Sequence, residues 1–284
     1  VRLAFAADEQ VERVRRLREG APRLATILPA GYASDADGAT FAAPVAGPDD
    51  PALIVYTSGT TGAPKGVVLT QYNLLADAQA IAAWHGLGAG DRLMCVLPLH
   101  HVNGTVVTLV APLAAGGTVI LNHRFGTDRF FARLAAERVA VVSVVPTLLA
   151  FLLEAVQRGR IRVPELPYFR HLICGAGPLT VDLALDFQRR CGLRIVHGYG
   201  LSETTCYSCF LPVGLDADVH ARWLGDFGFP AIGRALPVNE MAICDADGRP
   251  LGENERGEIV IRGHNVMRSY HGDDQANAAA FAHG

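Results

Sequence analysis

Three things are missing from this chain of 284 residues: a surplus of positive charge, a membrane-length apolar run and a regular cysteine framework. Lysine and arginine number 25 against 28 aspartate and glutamate, a formal charge of −3. Nothing in that balance would hold a phosphate backbone, which excludes a dedicated nucleic-acid binder. The stretch from Leu93 to Asn122 carries no Asp, Glu, Lys or Arg. It is nevertheless interrupted by Pro98, His100, His101, Asn103, Pro112, Gly116 and Gly117, so it falls short of the ~20 continuous apolar residues of a membrane span. It reads instead as a buried strand, a loop, a helix and another strand. The six cysteines (95, 174, 191, 206, 209 and 244) are irregularly spaced and mostly lie in apolar runs, where a free thiol behaves as a small hydrophobe. Val1–Gln10 has no basic segment followed by an apolar one, so no signal peptide is visible, and a cytoplasmic setting is the expectation. There is no internal repeat and no low-complexity tract.

What is present is a chain that is 50% hydrophobic and 19% charged, enough to bury a large core. Arg2–Glu19 has helical spacing, and Gly31–Pro51 reads as an irregular connection. Strands are expected at Leu53–Tyr56, Val67–Leu69, Val119–Leu121, Val141–Val145, His171–Cys174 and Arg194–Val196. Helices are expected at Asn73–Trp84, Asp128–Glu137, Thr147–Gln157 and Val181–Arg190. This alternation implies an α/β fold of layered sheets and helices. Near Gly233 the pattern changes. Glu240–Cys244 and Glu258–Arg262 look like strands, with a turn signal at Asp245–Gly248. The expected organisation is an α/β core over residues 1–232 and a smaller β subdomain over 233–284.

The strongest local signal is Thr57-Ser58-Gly59-Thr60-Thr61-Gly62-Ala63-Pro64-Lys65-Gly66, lying between two apolar strands. Glycines let backbone N–H groups approach an anion, hydroxyls donate to phosphate oxygens, and Lys65 adds positive charge. The spacing is not that of a Walker loop, and a strand rather than a helix follows.

With this block the chain resembles the adenylate-forming superfamily of acyl-CoA synthetases, nonribosomal-peptide adenylation domains and luciferases. Further blocks recur in order: Pro98-Leu99-His100-His101-Val102-Asn103-Gly104, Gly175-Ala176-Gly177-Pro178-Leu179, Gly198-Tyr199-Gly200-Leu201-Ser202-Glu203-Thr204 and Gly257-Glu258-Ile259-Val260-Ile261-Arg262-Gly263. The resemblance covers residues 53–284. It implies ATP-dependent activation of a carboxylic acid to an acyl-adenylate, with pyrophosphate released. Transfer to a thiol follows, either CoA or the phosphopantetheine of an acyl carrier protein.

The resemblance also distributes roles. Thr57, Ser58, Gly59, Thr60, Thr61 and Gly62, with Ser202, would bind the ATP phosphates. Lys65 and Glu203 would be catalytic, and Glu203 would hold Mg²⁺, a cation that takes oxygen ligands. Gly175, Ala176, Gly177, Pro178, His197, Gly198, Tyr199 and Gly200 would form the adenine site. His197 reads equally as an acceptor for the adenine amino group or as a structural histidine. His101, Val102 and Cys206 would line the acyl pocket, with His100 an alternative to His101. Val102 stands where amino-acid-activating relatives often carry an Asp that pairs with the substrate ammonium. A buried unpaired cation is costly, so an aryl or alkyl acid is expected rather than an α-amino acid. Cys206 and Cys209 could form half of a zinc site or a redox pair, but no second pair accompanies them. Segment 223–230 is expected near the pocket. The family normally starts about a hundred residues earlier, and continues into a ribose-binding T-G-D block and a mobile domain with a catalytic lysine. The chain therefore reads as a core segment of such a protein. The competing readings are a non-catalytic nucleotide- or acyl-binding module and adenylation with a non-thiol acceptor. Pyrophosphate exchange separates the binding module from the ligase.

Overall fold

A computed structural model describes residues 3–29, 45–57 and 64–282. The chain divides into two units, residues 1–45 and 46–284. In the first, β1 (Leu3–Ala6) pairs in parallel with β2 (Thr26–Pro29), and the short helix α1 (Val11–Arg16) lies between them in sequence. Helical turns run from Asp8 to Gly20, with α1 flanked by 3-10 turns at Asp8–Gln10 and Leu17–Gly20, so the helix expected over Arg2–Glu19 is missing only at its start. Pairing of Leu3–Ala6 with residues 26–29 overrides the local helical pattern at the start, as strand partners distant in sequence routinely do.

The second unit opens with β3 (Pro51–Thr57) and β4 (Lys65–Thr70), an antiparallel pair, and α2 (Gln71–Trp84). Next come β5 (Arg92–Cys95), a π-helical stretch (Asn103–Val110) running into α3 (Ala111–Ala114), and β6 (Thr118–Leu121). They are followed by α4 (Phe130–Ala136), β7 (Val141–Val144), α5 (Pro146–Gln157), β8 (His171–Cys174), α6 (Val181–Cys191) and β9 (Ile195–Tyr199). The last elements are β10 (Cys209–Phe210), α7 (Ala217–Gly225), β11 (Arg234–Ala235), β12 (Asn239–Cys244), β13 (Glu258–Gly263), β14 (Ser269–Tyr270) and α8 (Asp274–Ala280).

The main sheet has seven strands in the order β11-β10-β9-β8-β7-β5-β6. From β6 to β9 it is parallel; β10 and β11 continue it antiparallel. All four residues of both β7 and β8 are buried, which is why they are mostly apolar rather than alternating, Ser143 and His171 being the buried polar exceptions. Phe130, Leu134, Leu149, Leu152 and Phe187 on the crossover helices complete this core. Two smaller sheets accompany it: the β12–β13 hairpin, and a three-stranded sheet in the order β14-β4-β3 with its own cluster of Val55, Val67, Leu69, Met267 and Tyr270. No helix among the described residues is long and apolar enough to cross a membrane.

Candidate active site

A cleft of about 1430 Å³ opens beyond the carboxyl ends of the parallel strands. Leu97, Pro98 and His101 follow β5, and Val145 follows β7. Ala176–Leu179 follow β8, and Gly200–Glu203 follow β9. Loops that leave neighbouring parallel strands on the same edge converge there, the usual place for ligands in open α/β sheets.

The sheet β14-β4-β3 supplies one end. The last pair of the β3–β4 ladder is Thr57↔Lys65, so the phosphate-type loop begins and ends with these two residues face to face, and both line the cleft. Ser58, Gly59, Thr60, Thr61 and Gly62 lie outside the described residues. On the other side of β4, Tyr270 pairs with Val67. Side chains two apart on a strand share a face, so Lys65 lies diagonally across from Tyr270, and its Nζ sits 5.0 Å from the ring centroid. The Tyr270 hydroxyl donates to Glu203 Oε1 at 2.7 Å. Burial, and then the hydrogen bond to Glu203, raise the Tyr270 pKa, keeping the hydroxyl a donor. Lys65, Tyr270 and Glu203 thus form a charged corner of the cleft, and Ser202 and Asp273 also line it.

The adenine-type residues form a wall. Ala176, Gly177, Pro178, His197, Gly198, Tyr199 and Gly200 all line the cleft. Ala176 adopts φ 58°, uncommon for a residue with a side chain. Gly175 sits behind this wall. A Cβ there would meet the Tyr207 hydroxyl at 2.5 Å and the Gly198 carbonyl oxygen at 2.7 Å. The His197 Nδ1 lies 3.0 Å from the Ala231 carbonyl oxygen, which can only accept. The proton is therefore on Nδ1, and Nε2 is left as an acceptor. Burial lowers the His197 pKa, outweighing that hydrogen bond, so the ring is neutral near pH 7. Phe229, Pro230 and Ile232 bring segment 223–230 and its continuation to the cleft as expected.

The remaining wall is mostly apolar: Leu97, Pro98, Val102, Val145, Cys206 and Tyr207, with His101 beside them. Burial, and then the proximity of His100, lower the His101 pKa. Asn103, at the start of the π-helical stretch, donates to the Tyr207 hydroxyl at 3.1 Å and accepts from Ser143 Oγ at 2.7 Å. Gly104 is needed because a Cβ there would collide with the Pro98 carbonyl. Cys206 and Cys209 are both buried free thiols, and only Cys206 lines the cleft.

The motifs give no role to Tyr270 or Tyr207, and none to Asn103 although it lies inside the Pro98–Gly104 block. The sole hint of Tyr270 was its place shortly after the Gly257–Gly263 block.

The chain belongs to the AMP-binding enzyme family, whose match spans residues 2–271. It is 37% identical over 236 residues to the sulfoacetate–CoA ligase of Cupriavidus necator, covering 83% of this chain and 43% of that protein. It is 33% identical over 276 residues to a feruloyl-CoA synthase of an Amycolatopsis species, covering 97% of this chain and 53% of that protein. The ATP-bound crystal structure of MatB from Rhodopseudomonas palustris superposes with a TM-score of 0.83 at 27% identity, covering 98% of this chain and 54% of that one. The chain thus spans about half the length of the curated relatives it matches.

Proposed function

We propose that the protein activates a carboxylic acid with ATP, forming an acyl-adenylate and pyrophosphate, and that the thiol of CoA then takes the acyl group and displaces AMP. The observation that carries this reading is the single cleft uniting a Lys65–Tyr270–Glu203 corner, an adenine-type wall and an apolar acyl-type wall. CoA-ligase relatives support it. The acid's carboxylate attacks the α-phosphorus while the bond to pyrophosphate breaks. Lys65 and the Thr57 hydroxyl offset the charge accumulating on the departing phosphates while the Ser202 hydroxyl contacts the α-phosphate, in a cleft where such contacts act strongly. The His197 Nε2 accepts from the adenine amino group, with Tyr199 against the base. A carrier-protein thiol in place of CoA remains a second acceptor chemistry.

The donor set fits Mg²⁺. Glu203 offers one carboxylate whose Oε1 is oriented by Tyr270, with hydroxyls nearby. The described residues contain no group of three His, Cys, Asp or Glu that could hold a metal by themselves. A hard cation that keeps several waters and binds through one carboxylate plus substrate phosphates suits such a corner. When bound, it would supply charge neutralisation to those phosphates.

The acid itself is proposed to be aryl or alkyl, with no charge besides its carboxylate. Among the described residues lining the cleft, Lys65 is the one lysine or arginine, and it belongs to the phosphate end. His101 and His197 favour the neutral form. A second anionic group on the substrate would therefore lack a partner, and Val102 offers none to an ammonium. Residues 233–284 are proposed to act as a β subdomain of the same large domain, the β12–β13 hairpin forming a sheet of its own while β11 and β14 join it to the main sheet and to β4. The test is ATP–pyrophosphate exchange by the full-length protein with a panel of aryl and alkyl monocarboxylates, sulfoacetate and free amino acids. Monocarboxylates should give the fastest exchange. Preference for sulfoacetate or an amino acid would refute the substrate reading, and no exchange with any acid would refute the activity.

A further inference from the structure

Residues 200–208 form the loop between β9 and β10, leaving the sheet at Tyr199 and returning at Cys209, its antiparallel partner. The loop carries Ser202 and Glu203 on one side and Cys206 and Tyr207 on the other, all lining the cleft. Between the two pairs the chain reverses in one residue. Thr205 adopts φ 63°, ψ −55°, and the Cys206 N–H donates to the Thr204 carbonyl at 2.6 Å. This is a γ-turn of the rare positive-φ kind, and a β-branched residue is strained in it. Strain of this sort persists only where the surroundings enforce it, and it concentrates at functional sites.

The surroundings here are a fully buried polar network. Thr205 Oγ1 donates to the Asn265 carbonyl at 2.7 Å. The Asn265 side-chain amide donates to the Tyr207 carbonyl at 3.1 Å and to Asp77 Oδ1 at 2.9 Å. The other Asp77 oxygen accepts from the Tyr207 N–H at 3.4 Å. Asp77, Thr205 and Asn265 are each 0% exposed. The strip containing Asn265 is itself tied to α2. Asn73 closes a capping box with Thr70 and uses its amide to donate to the carbonyls of His264 (2.8 Å) and Val266 (2.9 Å). One residue further on, the Met267 N–H donates to the Glu203 carbonyl at 2.7 Å.

From this geometry we infer that Asp77 and Asn265 are positioning residues, holding Thr205 in its strained turn. The turn sets Glu203 toward the charged corner and Cys206–Tyr207 toward the apolar wall. None of the three touches the cleft. Their effect is to fix the spacing between the two ends of the site, and so between the phosphates and the acid. The inference rests on the adenylation reading for its effect on rate, but not for the strain itself.

The test uses Asn265→Ala and Thr205 changed to Ser, Ala and Gly in the full-length protein, with pyrophosphate exchange at saturating ATP and acid measured beside thermal unfolding. Asn265→Ala should lower exchange about 10²-fold, the scale of a small misplacement of reacting groups, well beyond any loss of folded protein. Thr205→Ser keeps the hydroxyl and should retain most of the activity. Thr205→Ala and Thr205→Gly should each lose at least about tenfold by the same loss of alignment. The signature of strain is in stability. At an unstrained position glycine melts lower than alanine, whereas at φ 63° Thr205→Gly should melt higher than Thr205→Ala. Exchange at the wild-type rate in Asn265→Ala and Thr205→Gly, or activity falling only with the folded fraction, would overturn the inference. Wild-type protein that exchanges with no acid would overturn the adenylation reading instead. The order of the Thr205→Gly and Thr205→Ala melting points then decides the strained turn by itself.

Discussion

Tyr270 joins Lys65 and Glu203 in the cleft, and removing its hydroxyl separates their contributions. In Tyr270→Phe the ring stays among Val55, Val67, Leu69 and Met267, so folding should be nearly unaffected. Its position near Lys65 is kept as well. What is lost is the 2.7 Å hydrogen bond to Glu203 Oε1. A hydrogen bond to a charged group contributes about 1.5–3 kcal/mol, and the partial exposure of Glu203 favours the lower end. At ~1.4 kcal/mol per factor of ten, misorientation of the carboxylate should slow adenylation roughly tenfold. Tyr270→Leu removes the ring too. A cation–π contact at a partly exposed site is worth about 0.5–1 kcal/mol, so a further two- to fivefold loss is expected. That increment should vanish when Lys65 is already alanine. The assay is pyrophosphate exchange across a Mg²⁺ titration, with thermal unfolding as the check on folding. Tyr270→Phe matching wild type at every Mg²⁺ concentration would refute the role given to the hydroxyl. An undiminished Tyr270→Leu increment in the Lys65→Ala background would refute the contact with the lysine.

Glu203→Gln should lower Mg²⁺-dependent exchange by ~10²-fold or more, and Lys65→Ala should cost less because backbone donors remain at the phosphate end. Wild-type exchange by Glu203→Gln would remove the metal assignment. Gly175→Ala places a Cβ 2.5 Å from the Tyr207 hydroxyl and 2.7 Å from the Gly198 carbonyl. Overpacking of this kind costs about 1–3 kcal/mol, to be read in the melting temperature together with weaker ATP binding by calorimetry. Burial raises the Asp77 pKa to about 8 against its two hydrogen bonds. Between the unfolded-chain value of about 4 and that value, the folded protein holds a proton that the unfolded chain has released. Asp77 therefore makes stability fall as pH rises through this window and level off above it. Chemical denaturation from pH 5 to 9 should give a flatter profile for Asp77→Asn, and an unchanged slope would contradict the shift. Burial, aided by nearby positive charge, pushes the His171 pKa down to about 3, and His85, 2.9 Å away, is lowered too. In their case the unfolded chain binds the extra protons below its ordinary value of about 6.5, so stability should fall as pH drops from there, and less steeply in His85→Phe.

Much of this protein is legible in the order of its residues. Strands such as Val141–Val144 and His171–Cys174 declare themselves because central parallel strands are buried on both faces and are therefore mostly apolar, with Ser143 and His171 as buried exceptions. The phosphate-type loop, the His101–Val102 block and the Gly198–Glu203 block are contiguous, so a local reading finds them. The cleft then gathers Thr57, Lys65, His101, Ala176, His197 and Glu203, from two sheets and from the loops that follow β5, β8 and β9. Other features belong to the tertiary structure alone. The helical spacing before Glu19 holds from Asp8 onward, but Leu3–Ala6 at its start is a strand because its partner lies at Thr26–Pro29. β10 and β11 are two-residue strands, too short to carry a periodic signal, and exist by pairing onto β9. Tyr270 acquires its place from the register of β14 on β4, which sets it diagonal to Lys65 across some 200 residues of sequence. Asp77 looks like any exposed charge in an alanine-rich helix. Only packing buries it against Asn265 and the strained turn at Thr205. Local patterns encode which groups are available, and long-range pairing decides which of them meet, because a hydrogen bond or a shared face depends on distance in space rather than on separation along the chain.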